Sequence, residues 1–469
     1  MRRSKLLALL AGPLLCLAIV MAPTPAGLTF AGQRALAVLA LCICWWTTTP
    51  VGLPVTSIVG LALLPLLGAM PVQEAFALFG NQAVFFVIGV FLVAAVMMET
   101  GLSSRISLVG LRRFAKDENR LCNGVLLISW ALCLVVVSHA VAALMLPIVI
   151  EIIRTLDLGP RSRTAKRLLL SMAWGTVAGS NLTLLSSARA TLALEMYGNF
   201  RSENQMGPDT IGFIEYTTGT LPVSLAALVA AAVVLRMVFP PEGLDLSPAI
   251  TKLNENVKAM GKPSRAEWTT MIVVGLMVIC VVTYGRQFGL GTVALLFSGL
   301  LFALQALKWE DAERYVNWGV VMMYGGAIAI GSALHSSGAT SWLVANILPT
   351  DPLGPMGALA VISIASAGLT ELVSNSAVIA VVLPVVLPVA EQVSLDPRTL
   401  AWATPVSAGL AFMLPTSTPA LAMVFGTGYL RIRHTLPGIL ITFCSLAVFI
   451  ASVRWLWPLF DLPALGVSP

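Results

Sequence analysis

Thr370-Glu371-Leu372-Val373-Ser374-Asn375-Ser376-Ala377, running on to Pro384, is a short polar patch with one carboxylate inside a long apolar segment. A bilayer core holds no water, so a polar group placed there needs a protein partner or a ligand. Ser374, Asn375 and Ser376 offer donors and acceptors in a row and make a good start for a helix over Ala377-Val378-Ile379-Ala380. A helix that starts inside a membrane aims unpaired N–H groups and a positive dipole end at mid-bilayer, which suits an anion. The alternative is a polar kink satisfied by a neighbouring helix, and this stretch alone leaves both open.

Composition puts the patch in a membrane. The 469 residues are 58% hydrophobic and 11% charged, against about 25% charged in soluble domains. Apolar runs recur along the whole length, which predicts an all-α polytopic membrane protein. The seven cysteines show no metal spacing and read as packing residues, so no cofactor is expected from them. The net charge of +6 reflects basic loops rather than nucleic-acid binding. None of His139, His335 and His434 forms a His-Glu-x-x-His motif, and no Gly-x-Ser-x-Gly elbow occurs, so an enzyme is not expected.

Taken in order, the basic start and Leu6–Met21 read as an uncleaved first span, with a signal peptide as the alternative. Arg34–Thr48, Val51–Leu67 and Ala83–Met98 are the next spans. Leu121–Ile153 is too long for one crossing: about 33 residues would run about 50 Å, against a core of about 30 Å. It is broken near Ser138-His139, with Pro147 as a second interruption, and is flanked by basic residues on both sides. A re-entrant hairpin with its tip at Ser138-His139 fits that pattern. Leu168–Met196 follows, with a polar middle from Gly175 to Arg189, as a span interrupted at mid-membrane. Gly212–Val238, Met271–Tyr284, Gly289–Leu307 and Trp318–Leu334 are plain spans.

Then the pattern returns. Pro355–Ala390 is broken at Ser374-Asn375-Ser376, Ala401–Tyr429 is broken from Pro415 to Pro419, and Leu436–Leu456 is the last span. Hairpin-then-broken-helix, twice, points to an inverted-repeat transporter with about 11 transmembrane helices and two re-entrant hairpins. The expected divisions are scaffold spans over 1–74, a first repeat over 75–238, a linker over 239–267, a second repeat over 268–435, and a last span with the C-terminus over 436–469. A cytoplasmic N-terminus puts 22 of the 28 Lys and Arg inside and five outside, leaving Arg189 in the membrane. The expected location is the cell (inner) membrane, with the first hairpin entering from the cytoplasm and the second from outside.

Three ionisable residues carry the functional question. A charge at a helix centre costs about 2.5–3.5 kcal/mol even on insertion scales. Arg189 is therefore either a fixed cation in an anion pocket, suited to a carboxylate or sulfate, or a residue that pairs with Glu195 or snorkels. His139 either meets the anion and titrates near neutral pH, or packs as a neutral ring capping the following helix. Glu371 is expected to hold its hairpin or balance Arg189 rather than coordinate a cation.

Asn81-Gln82 with Phe85–Phe91, Gly101-Leu102 and Arg105-Ile106, then Trp318-Gly319-Val320 with Gly325-Gly326, form matching segments in the two halves. With Ser374-Asn375-Ser376, Leu410-Ala411-Phe412-Met413-Leu414-Pro415, Thr418-Pro419 and Val424-Phe425-Gly426, they resemble the divalent anion–sodium symporter family over roughly residues 75–435. That family carries dicarboxylates, citrate or sulfate. The resemblance implies a scaffold, a moving transport part working as an elevator, a homodimer in the lipid bilayer, and two sodium sites with a small anion between them. Carried across, the second sodium site uses Thr370, Val373, Asn375 and Ser417. By the same resemblance the substrate meets Asn375, Ser376, Thr418 and Pro419 from the second half; Ser138, His139, Ser187 and Arg189 are expected to meet it from the first on the reading of the residues themselves. The first half departs from the pattern. Val137-Ser138-His139 stands where the tip motif belongs, and Ser186-Ser187-Ala188-Arg189 or Ser187-Ala188-Arg189-Ala190 stands for Thr-Pro-Pro-Asn. In the second broken helix, Ala420-Leu421 replaces Pro-Asn. Coupling stays open between one sodium at the second site, protons through His139, and exchange without a cation. An anion channel on the same scaffold is the further alternative.

Overall fold

Long apolar runs with few charges satisfy their backbone groups internally only as helices, and the computed structural model is helical, with no strand among the described residues. It describes residues 3–207, 209–347, 354–390, 392–460 and 462. Eight helices there are long and apolar enough to cross a membrane: Phe30–Thr48, Val72–Glu99, Ser138–Thr155, Phe213–Val238, Arg265–Phe288, Trp318–Ser336, Gly354–Leu372 and Ile432–Phe460. Lys5–Met21, Leu53–Leu66, Leu290–Ala303 and Asn375–Val389 are shorter apolar helices. Two further elements are each split into short halves: Arg163–Gly179 with Ala188–Glu203, and Pro397–Ala408 with Pro419–Gly426.

The first hairpin is Glu118–Leu132 and Ser138–Thr155, joined by residues 133–137. Glu118, at the start of one arm, accepts the N–H groups of Glu242 and Gly243 (2.9 and 3.1 Å). Glu151, near the end of the other, accepts from Asn256 Nδ2 at 3.0 Å. Residues 242–259 thus meet both ends of the pair, which doubles back rather than running through the bundle. Pro147 was expected to interrupt the second arm, but Ser138–Thr155 runs straight through it, as Asn375–Val389 runs through Pro384 and Pro388. A proline removes one helical bond, and in a membrane bundle the neighbouring groups can satisfy what it frees.

The two halves use the same contacts. Both arms of the first hairpin pack along Arg163–Gly179, and both arms of the second (Gly354–Leu372 and Asn375–Val389) pack along Pro397–Ala408. The second halves of the broken helices cross over. Pro419–Gly426 packs on the first hairpin, and Ala188–Glu203 on the second. Around them, Leu53–Leu66 packs on Trp318–Ser336 and, correspondingly, Leu290–Ala303 on Gln82–Glu99. These pairs approach closely through small residues, as membrane helices do. A Cβ on Gly326 would lie 2.7 Å from Ser57, and one on Gly89 would lie 2.6 Å from Ala294.

Candidate functional site

Four helices begin near the middle of the bundle, at Ser138, Ala188, Asn375 and Pro419. Each leaves N–H groups without helical acceptors at its first turn. A cavity of about 320 Å³ is lined by residues from all four starts: Ser138 and His139; Ser187, Ala188 and Arg189; Ser374, Asn375 and Ser376; Ser417 and Pro419. Phe91, Val137, Val320 and Met323 supply apolar wall, and Leu53, Pro54, Asn317 and Gly319 complete the lining. Four positive dipole ends around one small space favour a negative charge there.

Local bonds hold each start in place. Ser138 N–H donates to Ser186 O at 3.0 Å, which ties the first tip to the first unwound stretch. In the second half, Thr416 Oγ1 donates to Glu371 O at 2.9 Å. Ser374 Oγ accepts from Ala377 N–H at 3.4 Å and caps its helix. Ser376 Oγ is 3.3 Å from Tyr324 Oη. Thr418 does not line the cavity: its Oγ1 caps Pro419–Gly426 by accepting from Leu421 N–H at 3.3 Å.

Glu371 is 5% exposed, and its carboxylate accepts the N–H groups of Phe412, Met413 and Leu414 at 2.9, 3.1 and 2.8 Å. It holds the second unwound stretch open from the neighbouring hairpin. Unwinding starts at Gly409, earlier than the proline pair at 415 and 419 suggests, because Glu371 takes up the donors that the helix would have used.

Among the expected sodium ligands, Thr370 Oγ1 donates to Asn375 Oδ1 at 2.7 Å, and Ser417 Oγ donates to Leu414 O at 2.6 Å. Val373 is half-buried between Thr370 and Ser374 in the chain. The donor set is oxygen from hydroxyl, amide and backbone beside a carboxylate, which suits a hard cation.

Arg189 is 4% exposed. The alternative of pairing with Glu195 fails, because Glu195 accepts from Asn81 Nδ2 at 2.5 Å and faces a different neighbour. Arg189 instead donates from Nε to Pro405 O (3.0 Å), and from Nη2 to Ser180 O (3.1 Å), Ser180 Oγ (3.1 Å) and Asn181 Oδ1 (2.6 Å). His139 packs edge-on to Phe91, with ring centroids 5.1 Å apart.

Sequence reasoning missed several of these partners. Ser180 and Asn181 stood out only as part of a polar run. Pro405, Gly409 and Tyr324 carried no local signal. Glu242 was equally silent. Its carboxylate caps the start of Arg163–Gly179, accepting from Ser162 Oγ (2.6 Å), Thr164 N–H (3.0 Å) and Arg163 N–H (3.1 Å). Burial works to raise the Glu242 pKa, but these hydrogen bonds outweigh it and bring it from 4.5 down to about 2.

The family profile described as the sodium:sulfate symporter transmembrane region matches residues 3–462. The sodium-dependent dicarboxylate transporter SdcS of Staphylococcus saprophyticus is 26% identical over 493 residues, covering 99% of this chain and 93% of that protein. SdcS of Staphylococcus aureus is 25% identical over 485 residues, covering 97% and 92%. Among solved structures, MtrF of Neisseria gonorrhoeae, described within a class of antimetabolite efflux pumps, superposes with a TM-score of 0.59 at 13% identity, covering 100% of this chain and 97% of that one. The YdaH transporter of Alcanivorax borkumensis gives 0.52 at 16% identity, covering 99% and 98%. At those identities the two structures speak for the fold alone.

Proposed function

The chain belongs to the sodium:sulfate symporter family, and from that premise we propose that this secondary anion transporter carries a small dicarboxylate or a sulfate-like anion. It is a multi-pass membrane transporter, not an enzyme. The observation that carries the substrate class is the convergence of four helix starts and one guanidinium on a single cavity. The sodium-dependent dicarboxylate transporters among its relatives support the dicarboxylate. Sodium binds as co-transported cargo at Thr370, Val373, Asn375 and Ser417, beside the Glu371 carboxylate. The anion sits between the tips, against Ser138, His139, Ser187, Arg189, Asn375, Ser376 and Pro419, with Thr418 holding the Pro419 helix start.

The hairpins and broken helices form one packed body that moves as an elevator against the surrounding helices, and two copies form a homodimer in the cell membrane. The N-terminus is cytoplasmic. The cavity is bordered by the starts of Leu53–Leu66 and Trp318–Ser336. Lys308 and Arg314 precede the latter, and the expected excess of basic residues on cytoplasmic loops supports a mouth that opens inside. At the far end of Trp318–Ser336, Ser332 Oγ donates to Glu203 at 2.6 Å, and His335 Nε2 is 3.7 Å from it. These contacts support an outer side held closed by Glu203 against the end of Trp318–Ser336.

Counterflow in proteoliposomes tests this reading. Labelled succinate or sulfate is expected to accumulate against the same unlabelled anion, saturably and faster with sodium outside. Uptake indifferent to sodium removes the symport and leaves exchange. Linear, non-saturating flux without counterflow makes the protein a channel.

A further inference from the structure

No carboxylate lies within ion-pair distance of Arg189 among the described residues. A buried charge left that way is costly unless something else compensates it. Its partners are four oxygens without formal charge: Pro405 O, Ser180 O, Ser180 Oγ and Asn181 Oδ1, at 2.6–3.1 Å. Both carbonyls belong to the last turns of half-helices, Ser180 closing Arg163–Gly179 and Pro405 lying near the end of Pro397–Ala408. Those are the negative ends of two helix dipoles. Neutral oxygens gathered at two such ends are also what a hard inorganic cation would choose.

The backbone makes room for the guanidinium in particular. A Cβ on Gly409 would stand 2.0 Å from Nη2 of Arg189 and 2.2 Å from Asn181 Oδ1, so this position stays bare for the cation to lie against it. Nη1 has no protein partner among the described residues, while Arg189 borders the cavity. One face of the guanidinium is held and another is left for a ligand.

We infer that Arg189 is a tethered counter-cation: its guanidinium fills a cation cage built by the two broken helices, so the anion site loads with one mobile cation fewer. The inference rests on the anion-transport reading and adds a stoichiometry to it. The permanent positive charge travels with the site in both directions, and only the cation at the second tip exchanges with solution.

Equilibrium binding of succinate to the purified, detergent-solubilised transporter, titrated at a series of sodium concentrations, tests it. In the wild type, binding is expected to be first-order in sodium. In Arg189→Ala, affinity at the same sodium falls about 100-fold, the loss of a charge-assisted contact. It recovers when guanidinium is added below denaturing concentrations or when sodium is raised, and the sodium dependence becomes second-order as the emptied cage takes an ion. Gly409→Ala keeps the arginine but displaces it, and is expected to lower affinity in the same direction. It carries the test if Arg189→Ala does not fold. Wild-type binding that is second-order in sodium overturns the inference. So does Arg189→Ala with wild-type affinity and sodium order, or a folded variant that neither guanidinium nor sodium rescues, since the arginine would then be a structural clasp only. A wild type that binds neither succinate nor sulfate at any sodium concentration fails earlier, on the unmutated protein, and refutes the anion-transport reading itself.

Discussion

Replacing Glu371 with alanine should damage the second broken helix more than any loss of packing would predict. The carboxylate accepts three backbone N–H groups, from Phe412, Met413 and Leu414, at 2.8–3.1 Å. At 5% exposure, bulk water does not reach them easily once the carboxylate is gone. A hydrogen bond to a charged group contributes about 1.5–3 kcal/mol, and a buried donor left unpaired costs about 1–3 kcal/mol. The three share one side chain and do not add fully, so the expected loss is about 3–5 kcal/mol, the size of a broken buried charge network. Glu371→Gln keeps an oxygen for Phe412 and Met413 but turns an amide toward Leu414 N–H, and should lose about half as much. Thermal unfolding in detergent, followed by tryptophan fluorescence, should rank wild type above Glu371→Gln above Glu371→Ala. At about 2 °C per kcal/mol for a long chain, the alanine variant should melt roughly 5–10 °C lower. The same variants should weaken sodium and succinate binding, because Ser417 and Thr418 stand at the end of the stretch that Glu371 holds. If the alanine variant melts with the wild type, the three hydrogen bonds do not hold the unwound stretch open, and the account of the second half fails with them.

Ser374→Ala removes the cap on the helix that starts at Asn375 and should cost about 1 kcal/mol of stability, read as a melting temperature roughly 2 °C lower. Glu242→Gln should lower the melting temperature at neutral pH. The Glu242 pKa is held at about 2, below its ordinary 4.5, so its stabilisation is complete above about pH 4.5 and is lost as pH falls toward 2. The difference between variant and wild type should therefore shrink over that window. Paired Glu203→Cys and Ser332→Cys, placed where those side chains meet at 2.6 Å, should stop counterflow when a short thiol cross-linker joins them and release it on reduction. Continued counterflow in the cross-linked protein would argue against movement of Ala188–Glu203 past Trp318–Ser336.

The fold was legible wherever the signal was local. Length against bilayer thickness marked both hairpins, and a polar row inside an apolar run marked the tip at Ser374 and the interruption before Arg189. The second tip read better than the first because Ser374-Asn375-Ser376 has its own capping chemistry, whereas the helix at Ser138 follows Val137 and is held by Ser186 from another segment. Of the prolines, Pro147 misled: it was expected to interrupt a helix that in fact continues. Pro147 and Pro384 sit inside helices that continue, since neighbouring groups absorb the missing donor. What sequence could not supply was partnership at a distance. Arg189 was visible as a charge out of place, but its acceptor at Pro405 lies 216 residues away, and the alternative partner, Glu195, binds Asn81 instead.

The breaks in the helices explain why one bundle can hold both signs of charge in so small a space. A continuous helix hides its dipole ends at the two membrane surfaces, about 30 Å apart. Breaking it brings a negative end and a positive end together at mid-membrane. In this chain the first parts of the two broken helices end at one guanidinium, and the second parts begin beside one cavity. Ser180 and Pro405 turn carbonyls toward Arg189, while Ala188 and Pro419 open helices toward the cavity. In the proposed site, cation and anion would then lie side by side, each meeting the dipole ends that favour it. The arrangement works only if the unwound stretches stay unwound. That explains why a carboxylate as costly to bury as Glu371 is used to occupy three N–H groups that would otherwise be free to close the helix again.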